Sequence, residues 1–118
     1  MREILFRGKR SDNGEWVEGS LWVQIDKSYI LTLASSRGLE VDPDTVGQYT
    51  GLTDKNGKKI FEGDIVLDAD EPCMIAYENG CWKEIFQSDW WSFIYDDDEV
   101  EIIGNIHDNP ELLKGGEE

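Results

Sequence analysis

The residues able to do chemistry are few in kind, and only the acids are plentiful. The 118-residue chain holds one histidine, two cysteines and 26 acidic side chains against 11 Lys and Arg, for a net charge of −15. His107 stands just before Asp108-Asn109-Pro110, where an Asn-Pro step opens a helical turn. As a general base it would need a nucleophile and an orienting carboxylate held beside it. No nucleophile elbow or reactive-cysteine motif accompanies it, so it reads as a surface or capping histidine. Zinc takes four ligands, commonly from close Cys and His pairs, and Cys73 and Cys81 with a single histidine do not supply them. The acidic runs Asp68-Ala69-Asp70-Glu71 and Asp96-Asp97-Asp98-Glu99 could attract a hard cation, but neither has the glycine and glutamate positions of an EF-hand loop. They read as solvated loops. Carboxylate pairs for glycoside hydrolysis are uninformative in so acidic a chain. No phosphate-cradling glycine motif is present. The expectation is a protein with no catalytic residues, no metal and no cofactor, and so not an enzyme.

The charge is unevenly spread. Residues 1–63 sum to −1 and residues 64–118 to −14. Such a field repels phosphate backbones and anionic membranes and attracts basic partners. Arg2, Arg7, Lys9 and Arg10 lie near Trp16 and Trp22, and Lys55, Lys58 and Lys59 crown one turn. Cations beside aromatics can hold single-stranded nucleic acid, but the overall charge sets nucleic acid aside as a partner. The adjacent pair Trp90-Trp91 points to opposite sides of a strand. The outward ring is either a protein-contact anchor beside the acids, or packed under a loop or in a subunit interface. No apolar run reaches the roughly 18 residues of a membrane-spanning helix. The start Met1-Arg2-Glu3-Ile4-Leu5-Phe6-Arg7 does not read as a signal peptide, so a cytoplasmic protein is expected.

The elements that must position these residues read as short strands. Asn13-Gly14, Asn56-Gly57 and Asn79-Gly80 are the dipeptides of type I′ hairpins. Strands are expected at 4–8, 15–23, 29–33, 47–50, 65–67, 73–78, 81–86, 91–95 and 100–105. Val17, Gly19, Leu21 and Val23 share one face of the second, and Trp16, Glu18, Ser20 and Trp22 the other. Around Asn79-Gly80 the register sets Tyr77 opposite Trp82, Cys81 opposite Glu78 and Cys73 opposite Phe86. The two sulfurs then lie on the order of 17 Å apart at strand spacing. A disulfide needs Cα atoms within about 7 Å, so both cysteines are expected as free thiols. Asp42-Pro43-Asp44-Thr45-Val46 and Asp108-Asn109-Pro110 each predict one helical turn.

The central block VGQYTGLTDKNGKKIFEGDIV, residues 46–66, resembles the YopX-like family of phage and prophage proteins. So do EILFRGKR with DNGEWVEGSL near the start, and IIGNIHDNPELL at 102–113. The stretch 67–99 matches least. The resemblance implies one small β-rich domain over 1–118, encoded by a phage or prophage. It implies no activity and no catalytic residue. The Gly63-Asp64-Ile65-Val66 step is similar to the turn-into-strand of SH3-like barrels, which is fold analogy only. The expected fold is mainly β, with small barrel-like lobes at 1–60 and 61–113, the second SH3-like. One short C-terminal helical turn and a flexible tail at 114–118 follow.

The function expected is that of a non-enzymatic accessory protein that binds another protein or itself, as a homo-oligomer. Its contact surface would draw on Trp90, Trp91, Asp68, Asp70, Glu71, Asp96, Asp97, Asp98 and Glu99. The alternatives are an acidic DNA mimic that occupies a host DNA-binding protein and, behind it, an unrecognised enzyme with a deep polar pocket.

Overall fold

The computed structural model describes residues 4–32, 35–68, 70–86, 91–93 and 100–114. It is mainly β, 65% strand and 8% helical, in two antiparallel sheets. Neither sheet closes on itself, so the lobes are open sheets and not barrels. The chain divides into two compact units, Met1–Tyr49 and Thr50–Glu118.

In the first unit, β1 (Phe6–Lys9), β2 (Trp16–Gln24), β3 (Lys27–Thr32) and β4 (Ser35–Val41) form a meander, and β5 (Gly47–Thr53) enters beside β1. The alternation expected for β2 holds. Val17 and Gly19 oppose Gly8 and Phe6, while Glu18 and Trp16 oppose Arg7 and Lys9. The face bearing Gly8 holds the core: Ile30 and Val41 are 0% and 1% exposed, and Ser28 is buried with them. Gly8 is there because Val41 lies over it, so close that an added Cβ would meet Val41 Cγ2 at 2.9 Å. A single 3-10 turn, Pro43–Thr45, follows β4 as expected. Asp42 caps it by accepting from the Asp44 N–H at 3.1 Å. Thr45 locks it to β1, where its Oγ1 accepts from the Lys9 N–H at 2.9 Å.

In the second unit, β5 continues and β6 (Lys59–Phe61) lies beside it. A five-stranded sheet follows, built from β7 (Asp64–Asp68), β8 (Glu71–Glu78), β9 (Cys81–Phe86), β10 (Trp91–Phe93) and β11 (Glu101–Asn105), in the order β10-β9-β8-β7-β11. Its core gathers Ile60, Val66, Cys73, Ile75, Phe86 and Val100, with Leu52, Trp82 and Ile102 packed around them. Burial of each such large apolar side chain stabilises by about 1.5–3 kcal/mol. The β8–β9 register is the expected one, residue for residue, from Cys73↔Phe86 to Glu78↔Cys81. Tyr77 and Trp82 are in tilted ring contact, with centroids 4.8 Å apart and planes at 59°. A second 3-10 turn, Pro110–Lys114, ends the described chain.

Only one of the three Asn-Gly turns has the expected conformation. Asn79 and Gly80 both have positive φ, 55° and 80°, as type I′ demands. At the other two only the glycine does, Gly14 at 75° and Gly57 at 84°. These loops are longer: Arg10 bonds Glu15 across one, and Asp54 bonds Lys58 across the other. In loops of three or four residues the first positions stay right-handed and a left-handed glycine closes the turn. Two strands, β4 and β6, were not expected.

Candidate functional site

Neighbouring strands decide which side chains a β sheet leaves over. β1 pairs with β2 only along Trp16–Gly19, and β3 takes over from Ser20 to Gln24. The far end of the β2–β3 hairpin therefore extends past β1 and carries its apolar residues into solvent. Trp22 is 44% exposed, Val23 57% and Ile25 95%. Trp22 meets Tyr29 across the hairpin in a tilted ring contact, with centroids 5.1 Å apart. Gln24 pairs with Lys27, so Ile25 and Asp26 alone make the turn. Ile25 has φ +51° and Asp26 does not join it in the left-handed region, the pattern of a type II′ turn. That first position belongs to glycine. A β-branched residue there stores about 1–3 kcal/mol of backbone strain.

The same unit holds an open hollow of about 570 Å³ at the other end of the hairpin. It is lined by Ile4, Leu5, Glu18, Gly19, Ser20, Leu31 and Thr32 and is mostly apolar. The missing side chain at Gly19 leaves room for β3, because an added Cβ would sit 2.1 Å from the Leu31 carbonyl oxygen. Beside the hollow, Arg7 and Lys9 share the face of Trp16, 4.6 Å and 5.8 Å from its centroid. The Arg10 guanidinium donates to both oxygens of Asp12, at 3.0 and 2.7 Å. These cations are engaged with groups of their own unit.

Of the contact residues expected from sequence, Trp90 and Asp96, Asp97, Asp98 and Glu99 lie outside the described residues. Trp91 opens β10, where its backbone faces Ile85, which faces Met74. Asp68 pairs with Glu71 at the β7–β8 turn, with Asp70 and Glu71 exposed and Asp68 half-buried. That turn and the Trp91 backbone lie at one end of the sheet, about 14 Å apart by strand spacing. The exposed tip at Ile25 was not expected. Its only sequence signal is Trp22-Val23 followed by Ile25, apolar residues with no strand partner assigned to them.

Among the described residues no three His, Cys, Asp or Glu side chains converge to hold a metal ion. The Asn-rich segment around His107 is a turn network. Asn105 Oδ1 accepts from the N–H groups of His107 and Asp108 at 3.0 and 2.9 Å, and the Asn109 N–H returns to the Asn105 carbonyl. Both cysteines are free thiols. Burial, reinforced by the Glu84, Asp68 and Glu71 carboxylates, pushes the Cys73 thiol up to about 12. Its thiolate, the reactive form, is therefore scarce at neutral pH. Iodoacetamide at pH 8 is expected to label half-exposed Cys81 alone in the native protein, and both thiols in denaturant, read by intact mass. Native labelling of Cys73 would show that this core opens freely.

These features describe a small β protein of two open antiparallel sheets. A YopX protein family model matches residues 5–114, and the chain belongs to that family. A search of curated proteins finds no match. Among solved structures, the crystal structure of protein EF1440 from Enterococcus faecalis is similar, at TM-score 0.59 and 25% identity, covering 96% of this chain and 99% of that one. No helix among the described residues is long and apolar enough to cross a membrane.

Proposed function

We propose that this chain is a non-enzymatic protein-binding accessory protein of a phage or prophage, acting in the host cytoplasm. The observation that carries the reading is the β2–β3 tip, where Trp22, Val23 and Ile25 stand in solvent and Ile25 reaches 95% exposure in a strained turn. An apolar tip kept at a cost in backbone energy is accounted for by a contact it makes elsewhere. Trp22, held against Tyr29 in a tilted ring contact, is an aromatic anchor of the kind that dominates binding energy. The acids at Asp68, Asp70 and Glu71 steer basic partners.

A photoreactive phenylalanine analogue in place of Ile25 tests this in producing cells. A discrete cross-linked protein, this chain included, is expected from position 25 and not from exposed Asn56 in the other unit. Equal cross-linking at both positions, or none at either, counts against the reading.

A further inference from the structure

We propose that Asn79-Gly80 is a site of spontaneous modification, where Asn79 converts to aspartate and isoaspartate at the β8–β9 turn while the fold protects the other two Asn-Gly steps. A glycine after asparagine leaves the side-chain amide carbon open to attack by the next backbone nitrogen. Asn13-Gly14, Asn56-Gly57 and Asn79-Gly80 therefore carry the same latent chemistry. They differ in what holds the nucleophile. The Gly14 N–H donates to the Arg10 carbonyl at 3.0 Å, and Asn13 Oδ1 accepts from the Glu15 N–H at 2.9 Å. The Gly57 N–H donates to the Asp54 carbonyl at 2.9 Å, and the Asn56 N–H to Asp54 Oδ1 at 2.9 Å. The Gly80 N–H and the Asn79 carboxamide bond no group among the described residues. Both residues are exposed, with positive φ, beyond the last ladder pair Glu78↔Cys81. Turning their shared peptide plane gives up only the long contact from Cys81 Sγ to the Asn79 carbonyl, 3.8 Å. The Gly80 nitrogen loses its proton to solvent base and bonds Asn79 Cγ; the Cγ–nitrogen bond of the amide breaks and ammonia leaves. Water then opens the cyclic imide, at Cγ to give aspartate or at the main-chain carbonyl to give isoaspartate. A water is consumed and an ammonia released, with no change of oxidation state. Either product adds a negative charge next to Glu78. Isoaspartate also runs the main chain through an extra carbon, which the two-residue type I′ turn does not fit, so the Tyr77–Trp82 contact loosens with it.

Incubation of the purified full chain at mildly alkaline pH, followed by tryptic mapping, reads the sites apart, because they fall in the separate peptides 11–27, 56–58 and 60–83. The mass shift of an amide becoming an acid is expected first in 60–83, as a mixture of aspartate and isoaspartate. In 11–27 and 56–58 it is slower by roughly tenfold, the rate counterpart of one backbone hydrogen bond that must break first. In denaturant, where no turn holds its glycine, the three rates converge. Asn79→Asp reproduces the aspartate product and keeps the parent's urea midpoint, whereas the separated isoaspartate form unfolds at lower urea. Equal native rates at the three sites overturn the proposal. So does a native chain whose position 79 stays unmodified while the denatured chain reacts there.

Discussion

Replacing Gly19 with alanine is expected to cost at least about 3 kcal/mol, the upper range for forcing extra atoms into a packed site. The new Cβ would fall 2.1 Å from the Leu31 carbonyl oxygen and 3.0 Å from its carbon. Both are backbone, so no rotamer change relieves the clash. β3 must move away from β2, and the pairs Ser20↔Leu31 and Leu21↔Ile30 go with it. Ile30, fully buried, leaves the core in the same movement. A control in the same unit separates crowding from backbone conformation. Gly14 has φ +75° with nothing within 4 Å of an added Cβ. Gly14→Ala therefore bears only the left-handed penalty, about 1–2 kcal/mol. Urea denaturation of the three proteins checks the order, parent above Gly14→Ala above Gly19→Ala. Equal midpoints for the two variants would show that β3 does not lie over Gly19 as described.

That glycine also shows what the sequence could and could not convey. Alternation along β2 placed Gly19 on the face of Val17, Leu21 and Val23, and the β1–β2 register agrees. Period-two patterning is local, so it is legible. The reason for a glycine there is the height of β3 above it, which no local pattern encodes. The same divide explains the strands that went unseen. Ser35-Ser36-Arg37-Gly38 has the composition of a turn, yet β4 forms because Val41 packs on Gly8 and bridges Arg10 from a distance of more than thirty residues. β6 is three residues long and starts on Lys59, too short for a pattern to declare itself. By contrast the Asn79-Gly80 hairpin is complete within fourteen residues, and its register was readable pair by pair.

The candidate site divides in the same way. Acidic runs and paired tryptophans are conspicuous in composition, and they point to 68–71 and 90–99. Exposure is set by where neighbouring strands end, and composition does not record that. β1 stops opposite Gly19, which strands Trp22, Val23 and Ile25 beyond its reach. Residues 24–28 carry no Asn-Gly or Gly-Asn dipeptide and have no strand pattern, yet the chain turns on Ile25 and Asp26 alone. A glycine at position 25 would have announced the turn. Isoleucine at that position hides the turn from a reading of turn dipeptides and leaves an apolar side chain at the tip.

Asp54→Ala is expected to destabilise the second unit by about 3 kcal/mol or more, since hydrogen bonds to a charged acceptor are worth about 1.5–3 kcal/mol each. The Asp54 carboxylate is 3% exposed. Its Oδ1 accepts from the N–H groups of Asn56 and Lys58, both at 2.9 Å, which closes the β5–β6 turn. Its Oδ2 accepts from the Ile102 N–H in β11 at 3.0 Å, 48 residues away in sequence. The Lys55 N–H donates to the Val100 carbonyl beside it, and Lys55 Nζ lies 3.5 Å from Glu101. One side chain therefore ties the β5–β6 hairpin to the strand that ends the sheet. Water can serve the exposed turn amides after truncation, but the half-buried Ile102 amide loses a partner that only this carboxylate supplies. Burial alone would raise the Asp54 pKa; the three backbone donors with the Lys58 charge outweigh it and hold the pKa below its ordinary value. A carboxyl whose folded pKa is depressed contributes stability above its unfolded value, near 3.9. That contribution is lost as pH falls through the folded pKa. The parent should thus lose urea stability on acidification below about pH 4, and Asp54→Asn should lose less over the same interval. The asparagine keeps a carbonyl oxygen for the turn but sets an amide against the Ile102 N–H, so it starts from a lower plateau. Parallel pH profiles for the parent and Asp54→Asn would mean that the carboxylate charge takes no part in holding β11 to the turn.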